Sequence, residues 1–188
     1  MIRIENISKS FGGKQVLKNI SAEIPESGIF AVSGVSGSGK TTLLRILAGL
    51  EKPDGGTISE LDGKKISVMF QNDRLLPWLT ALENIAVVCN RETAEKWLEK
   101  VELLPAADKK PNELSGGMCR RVALARALAF DGDILLLDEP FKGLDSALRG
   151  RMIKLVENFA QTRPVILITH DSDEAALAKN ILTIDQLP

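Results

Sequence analysis

The stretch GIFAVSGVSGSGKTTLLRILAGL, residues 28–50, sets the tightest limit on what this chain can fold into. GIFAVSG is short and almost wholly apolar, the pattern of a strand buried on both faces of a parallel sheet. TTLLRILAGL switches to helical spacing through Leu43, Leu44, Leu47 and Leu50. Between the two, Gly34, Gly37 and Gly39 fall within six residues. A turn needs one glycine or two, so this density predicts a backbone that must touch something. A buried strand, a flexible loop and a helix in that order commit the fold to the α/β class.

The rest of the chain agrees. IRIENI alternates apolar and polar residues, as an edge strand or a hairpin strand does, and LKNISAEIPESG continues the pattern. In GTISELDGKKISVMF, Asp62-Gly63 between two alternating runs predicts a hairpin. Residues 80 to about 130 read as mostly helical, in TALENIAVV, ETAEKWLEKVELL and GGMCRRVALARALA, with Pro105, Pro111 and Asn112 as punctuation. DILLLDEP and PVILITH are buried strands, and between them Leu148, Met152, Leu155, Val156 and Phe159 share one helical face. SDEAALA predicts a short helix and NILTID a last strand. Strands alternating with helices predict a mostly parallel central sheet, on which the long helical stretch is an insertion.

A length of 188 residues suits one domain. Apolar residues make up 44% and charged residues 26%, an ordinary soluble composition. The net charge of −1 is spread along the chain, which gives no electrostatic argument for nucleic acid or an anionic membrane. Cys89 and Cys119 stand in no metal or redox spacing, which points to a reducing compartment. MIRIENISKS lacks the apolar core of a signal peptide, and no apolar run approaches the roughly 20 residues of a membrane span. The expectation is a soluble cytoplasmic chain that reaches a membrane only through a partner.

Gly34-x-x-x-x-Gly39-Lys40-Thr41 matches the phosphate-binding loop, placed between a strand and a helix as that mechanism requires. Glycines let successive N–H groups turn inward around an anion, and the helix adds its positive N-terminal end. The candidate nucleotide-binding residues are Gly34, Val35, Ser36, Gly37, Ser38, Gly39, Lys40, Thr41 and Thr42. Lys40 would reach the β- and γ-phosphates, and the Thr41 hydroxyl would ligate Mg²⁺. The competing reading, an ordinary turn with an accidental lysine, is far weaker.

Asp138 and Glu139 follow the apolar strand ILLL, at the kind of carboxyl end where α/β sheets bind ligands. Asp138 would hold Mg²⁺, mostly through water, and Glu139 would polarise the attacking water as general base. Alone, such a pair reads equally well as acids that end a strand; beside a phosphate loop it reads as chemistry. LSGGMCRRVALARALA places Ser115, Gly116 and Gly117 at a second helix N-terminus able to meet an anion. One nucleotide needs only one cradle. The second implies a second ligand, or a phosphate presented by another subunit.

In order and spacing, GVSGSGKT, Gln71, LSGGM, LLLDEP, GLD and His170 resemble the ATP-binding cassette (ABC) ATPases, specifically the nucleotide-binding domain of an ABC transporter. The resemblance spans essentially the whole chain. It implies a P-loop NTPase fold with a mostly parallel central sheet, an antiparallel β subdomain and a helical insertion at about residues 72–130. It also implies one ATPase domain over residues 1–188, with no C-terminal regulatory domain. ATP and Mg²⁺ would lie between one subunit's phosphate loop and Ser115, Gly116 and Gly117 of a second cassette, identical or a close paralogue. By the same resemblance Gln71 is a ligand of Mg²⁺ and attacking water in a loop that senses a permease. His170 is the γ-phosphate sensor beside Glu139, Asp145 lies at the dimer interface, and Phe11 stacks on adenine.

Some positions depart from the family pattern. Met118 stands where the signature usually has glutamine, and Phe11 replaces the commoner tyrosine. FKGLD, residues 141–145, replaces the usual serine-alanine-leucine-aspartate, which introduces Lys142 and Gly143. The chain is also shorter than most members between Lys40 and Gln71 and after His170.

RLLPWLTALENI, residues 74–85, resembles the ATPases of nitrate, sulfonate and taurine importers. Trp78 packs on the helical insertion or lines a groove for a permease helix, two readings of about equal weight that can both hold. The expected function is Mg-ATP hydrolysis on the cytoplasmic face of a membrane. Its partners would be a transmembrane permease and a substrate-binding protein, with no nucleic acid. A soluble assembly ATPase, of the iron–sulfur scaffolding kind, is the competing reading, and the tryptophan loop speaks against it. Glu139 and His170 speak against a module in which ATP only regulates binding.

Overall fold

In the computed structural model, which describes residues 1–185, the strands sort into two sheets. β1 (Ile2–Phe11) and β2 (Lys14–Ile24) form an antiparallel hairpin. β3 (Gly28–Ser33) leads through the glycine loop into α1 (Lys40–Leu47), and β4 (Gly55–Ser59) returns to pair antiparallel with β1. The chain continues through β5 (Ile66–Met69), α2 (Ala81–Ala86), α3 (Arg91–Lys100) and α4 (Gly116–Ala129). It ends with β6 (Ile134–Asp138), α5 (Ser146–Ala160), β7 (Pro164–Ile168), α6 (Ser172–Ala175) and β8 (Asn180–Thr183). One sheet has the order β2-β1-β4; the other, β5-β6-β7-β3-β8, is parallel at every pairing.

The pleat of the parallel strands divides the core in two. Leu135, Leu137, Val165 and Leu167 face a layer built from α2, α3, α4 and α5. Their neighbours Ile134, Leu136, Ile166 and Ile168 face the opposite layer, made of α1 and the three-stranded sheet. Both layers bury these strands, which explains their unbroken apolar runs. In α1, Leu43 and Leu44 are fully buried, and each contributes roughly 2 kcal/mol of transfer free energy. On α5, Met152 and Val156 are buried and Leu148, Leu155 and Phe159 pack beside them, as the helical spacing predicts.

Helix starts follow local chemistry. Thr80 and Glu83 form a reciprocal capping box on α2. Asn90, Ser115 and Asp145 cap α3, α4 and α5 through their side-chain oxygens. The helix α1 lacks a side-chain cap; Gly39 precedes it in the left-handed region, at φ 98°. Its first N–H groups therefore face outward, toward whatever the loop encloses.

One expectation fails. Asp62-Gly63 does sit in a turn, closed by Lys64 N–H on the Leu61 carbonyl at 3.1 Å, but the flanking strands do not pair with each other. β4 joins β1, with Ile4 opposite Ile58, whereas β5 joins β6, with Val68 opposite Leu136. The turn is a passage between sheets. Turn residues specify a reversal of the chain and not a strand's partner, and beside β6 the β5 residue Met69 is only 2% exposed, within the helical-side core. β1, read as an edge or hairpin strand, is a hairpin strand at the centre of its sheet.

Parallel pairing brings the carboxyl ends of β3, β5, β6 and β7 to one edge. There the loops after Ser33, Met69, Asp138 and Ile168 meet. Among the described residues no helix is long and apolar enough to cross a membrane.

Candidate active site

The glycine loop is shaped by close approach. At Gly34, φ is 147° and a Cβ would lie 2.3 Å from the Ile184 carbonyl oxygen; at Gly39 it would lie 2.8 Å from that of Val16. Both obstacles are backbone and cannot swing away. Gly34→Ala is therefore expected to destabilise the fold by about 2–3 kcal/mol, the sum of left-handed strain and a backbone shift. Urea unfolding of the purified variant measures this, and a loss below about 0.5 kcal/mol would mean the loop tolerates a side chain.

Lys40 is buried, and its Nζ donates to the carbonyls of Gly34 and Val35, each at 2.7 Å. Burial pushes its pKa down, and the nearby carboxylates of Glu139 and Asp138 oppose that. Ser38 Oγ is buried within the loop without a hydrogen-bond partner. An orphaned hydroxyl and a glycine backbone closed to side chains suit a loop that wraps phosphate oxygens.

The Thr41 hydroxyl donates to Asp138 Oδ2 at 2.9 Å, which joins the start of α1 to the end of β6. Asp138 is 2% exposed. Burial raises its pKa, the bond from Thr41 lowers it, and the charge of Glu139 raises it again. Glu139 occupies the left-handed region at φ 49°, with its N–H bound to the Ile168 carbonyl at 2.9 Å. That conformation costs energy for a non-glycine residue, and it recurs where side chains are aimed for function.

Glu139 is the hub of the edge. Its Oε1 lies 2.9 Å from His170 Nδ1, and its Oε2 lies 3.0 Å from Lys142 Nζ and 3.4 Å from Gln71 Nε2. A carboxylate only accepts, so the histidine contact assigns the proton to Nδ1. Burial, the largest single influence, pushes the Glu139 pKa up, but the bonds from Lys142 and His170 outweigh it and leave it below the ordinary value. Glu139 is therefore an ionised acceptor at neutral pH, held by three donors.

These groups line one open cavity of about 820 Å³, together with Val16, Ser33 and most of the glycine loop. It collects Gly34, Val35, Ser36, Gly37, Gly39, Lys40, Thr41, Thr42, Gln71, Asp138, Glu139 and His170; Ser38 lies beneath the loop. Three parts of the expected site lie elsewhere. Phe11 is exposed at the end of β1, with Lys9 Nζ 5.2 Å from its ring centre. Ser115 is exposed at the start of α4, with its Oγ accepting from Met118 N–H at 3.2 Å. Asp145 caps α5.

Thr41, Asp138 and Gln71 supply hydroxyl, carboxylate and amide oxygens, the hard donors that Mg²⁺ takes. No group of three or more His, Cys, Asp or Glu forms a metal cage among the described residues. An ion held by one or two protein oxygens plus phosphate and water fits that set.

Sequence reasoning passed over two features. Lys142, a departure from the family pattern, bonds Glu139, and its place three residues after that glutamate is the signal for it. The other is a clamp on the loop that carries Gln71. Arg120 donates to Asp73 at 2.7 Å and to the carbonyls of Phe70 and Gln71, and Arg126 donates to the Asp73 carbonyl. Fully buried Asn84 binds the backbone of Leu76, Leu79 and Thr80. Trp78 projects from this loop, 66% exposed, so it does not pack into the helical layer.

The family model described as ABC transporter matches residues 17–142, which carry the glycine loop, the Gln71 loop, the start of α4 and the acidic pair. The chain belongs to that family and is an ATP-binding cassette ATPase. The aliphatic sulfonates import ATP-binding protein SsuB of Zymomonas mobilis is 41% identical, across 98% of this chain and 82% of that protein. The arginine transport ATP-binding protein ArtM of Bacillus subtilis is 40% identical, across 99% and 88%. Among solved structures, the dimeric ATP-binding cassette MJ0796, in a post-hydrolysis state bound to ADP and Pi, superimposes with a TM-score of 0.88. It is 32% identical, across 98% of this chain and 94% of that one.

Proposed function

We propose that this chain is the ATP-hydrolysing subunit of an import transporter, paired with a second cassette and docked on a transmembrane permease at the cytoplasmic face. Its relatives support this reading: the Zymomonas mobilis protein is a sulfonates import ATP-binding protein, and the Bacillus subtilis protein is an arginine transport ATP-binding protein. The observation that carries the dimer is the separation of the two cradles. The glycine loop lines the cavity, whereas Ser115, Gly116 and Gly117 stand outside it, and Ser115 and Gly116 are exposed. A partner's α4 N-terminus would complete the site, with Asp145 near the same interface.

In this reading Lys40 and the loop N–H groups grip the phosphates, and Phe11 offers a face to the adenine. Bound Mg²⁺, held by Thr41, Asp138 and Gln71, would neutralise part of the phosphate charge. Glu139 accepts a proton from a water as its oxygen attacks the γ-phosphorus, and the bond to the β-phosphate oxygen breaks to leave ADP and phosphate. His170 holds the glutamate oxygen from the far side. Exposed Trp78, on the clamped Gln71 loop, is a contact for a permease helix. An extracellular substrate-binding protein would complete the importer.

A mild-detergent pull-down of the tagged chain from its own cell membranes tests the transporter role. The expected result is a multi-span membrane protein in stoichiometric amount. Only soluble partners, with the chain absent from membranes, would replace the importer by an assembly ATPase.

A further inference from the structure

Among the described residues lining the cavity, Lys40, Lys142 and His170 are the basic ones. They are not equivalent. Lys40 is buried and committed to two backbone carbonyls of the loop. Lys142 is the exposed one, bound to a side chain and not to the loop backbone. Its side chain is 57% exposed, while its carboxylate partner Glu139 is 12% exposed.

The backbone around Lys142 is fixed. Buried Phe141 anchors the preceding residue, the Lys142 N–H turns back to the Glu139 carbonyl at 3.4 Å, and Gly143 redirects the chain at φ 78°. A flexible four-carbon stem on a fixed root sweeps a small arc over the cavity mouth. Within that arc Lys142 bonds Glu139, at 3.0 Å, and no other carboxylate among the described residues. Glu139 marks the hydrolysed end of the nucleotide in the reading above, on which this inference rests. A third phosphate arriving there brings more negative charge than one carboxylate, and a diphosphate brings none to that position.

We infer that Lys142 is the side chain by which this cassette distinguishes a nucleoside triphosphate from a diphosphate, exchanging its Glu139 contact for the terminal phosphate. With ADP bound the ammonium stays on Glu139. With ATP bound it leaves Oε2 open for the attacking water. The exchange moves no covalent bond and couples the arrival of the γ-phosphate to release of the general base.

Equilibrium titration of the whole purified chain with ADP and with a non-hydrolysable ATP analogue, each with Mg²⁺, tests this without any turnover. In Lys142→Ala the analogue should bind about fivefold to tenfold more weakly, the size of a partly exposed charge-assisted contact, while ADP stays within about twofold. Lys142→Arg should keep most of the preference, since it retains the charge and the reach. Equal losses for both ligands, or no loss for either, would overturn the inference. Should the unaltered chain bind neither nucleotide, the ATP reading of the cavity itself falls, an outcome distinct from a failure at Lys142.

Discussion

Glu139→Gln is expected to retain ATP binding and to lower turnover by about 10²- to 10⁴-fold, the contribution of a general base. The change removes one charge and almost no volume, and the amide oxygen can still accept from His170 or Lys142. The loop's grip on the phosphates is not touched, because Lys40 and Thr41 bond to Gly34, Val35 and Asp138, and the change only weakens Glu139's competition for Lys142. Binding and chemistry should therefore separate. Nucleotide titration and steady-state phosphate release on the same preparation measure the two sides. Hydrolysis near the unaltered rate would move the base elsewhere, His170 being the next group on that edge.

A second large effect is expected far from the cavity. Ser115→Arg should leave ATP affinity within about twofold, abolish nucleotide-dependent dimers and lower turnover by on the order of 10²-fold, the cost of losing a positioned group. The substitution puts bulk at the exposed start of α4, where a partner's phosphate would have to approach. It also removes the bond from Met118 N–H to Ser115 Oγ, which costs about 1 kcal/mol of helix capping, so a melting curve must accompany the assay. Light scattering that still finds dimers with ATP would rule out a composite site built on this helix.

The parallel sheet was legible because burial on both faces writes long apolar runs, as in Ile134–Leu137 and Val165–Ile168. Partner choice was not. Asp62-Gly63 signals a turn through local backbone preference, whereas the destinations of β4 and β5 depend on strands far away in sequence. At the site, contiguous motifs were readable from their chemistry, because a phosphate cradle must be built from adjacent N–H groups. Gln71 and His170, single residues at strand ends, were visible only through the order of motifs around them. The clamp between Arg120 and Asp73 joins residues 47 positions apart in a chain with 24 Lys and Arg and 25 Asp and Glu side chains. Nothing local singles out that pair from the many others available.

That clamp and Asn84 together tie the segment from Phe70 to Thr80 to α4 and α2 at both of its ends. Arg120 is buried and Asp73 half-buried, so pulling the guanidinium away would leave Asp73 and the Phe70 and Gln71 carbonyls without their donor, at a cost of about 1–3 kcal/mol for the charged hydrogen bond. If a permease helix docks on Trp78, as proposed above, its push falls on backbone tied through Arg120 to α4, the helix that Ser115 caps, so docking and the second phosphate cradle share one support.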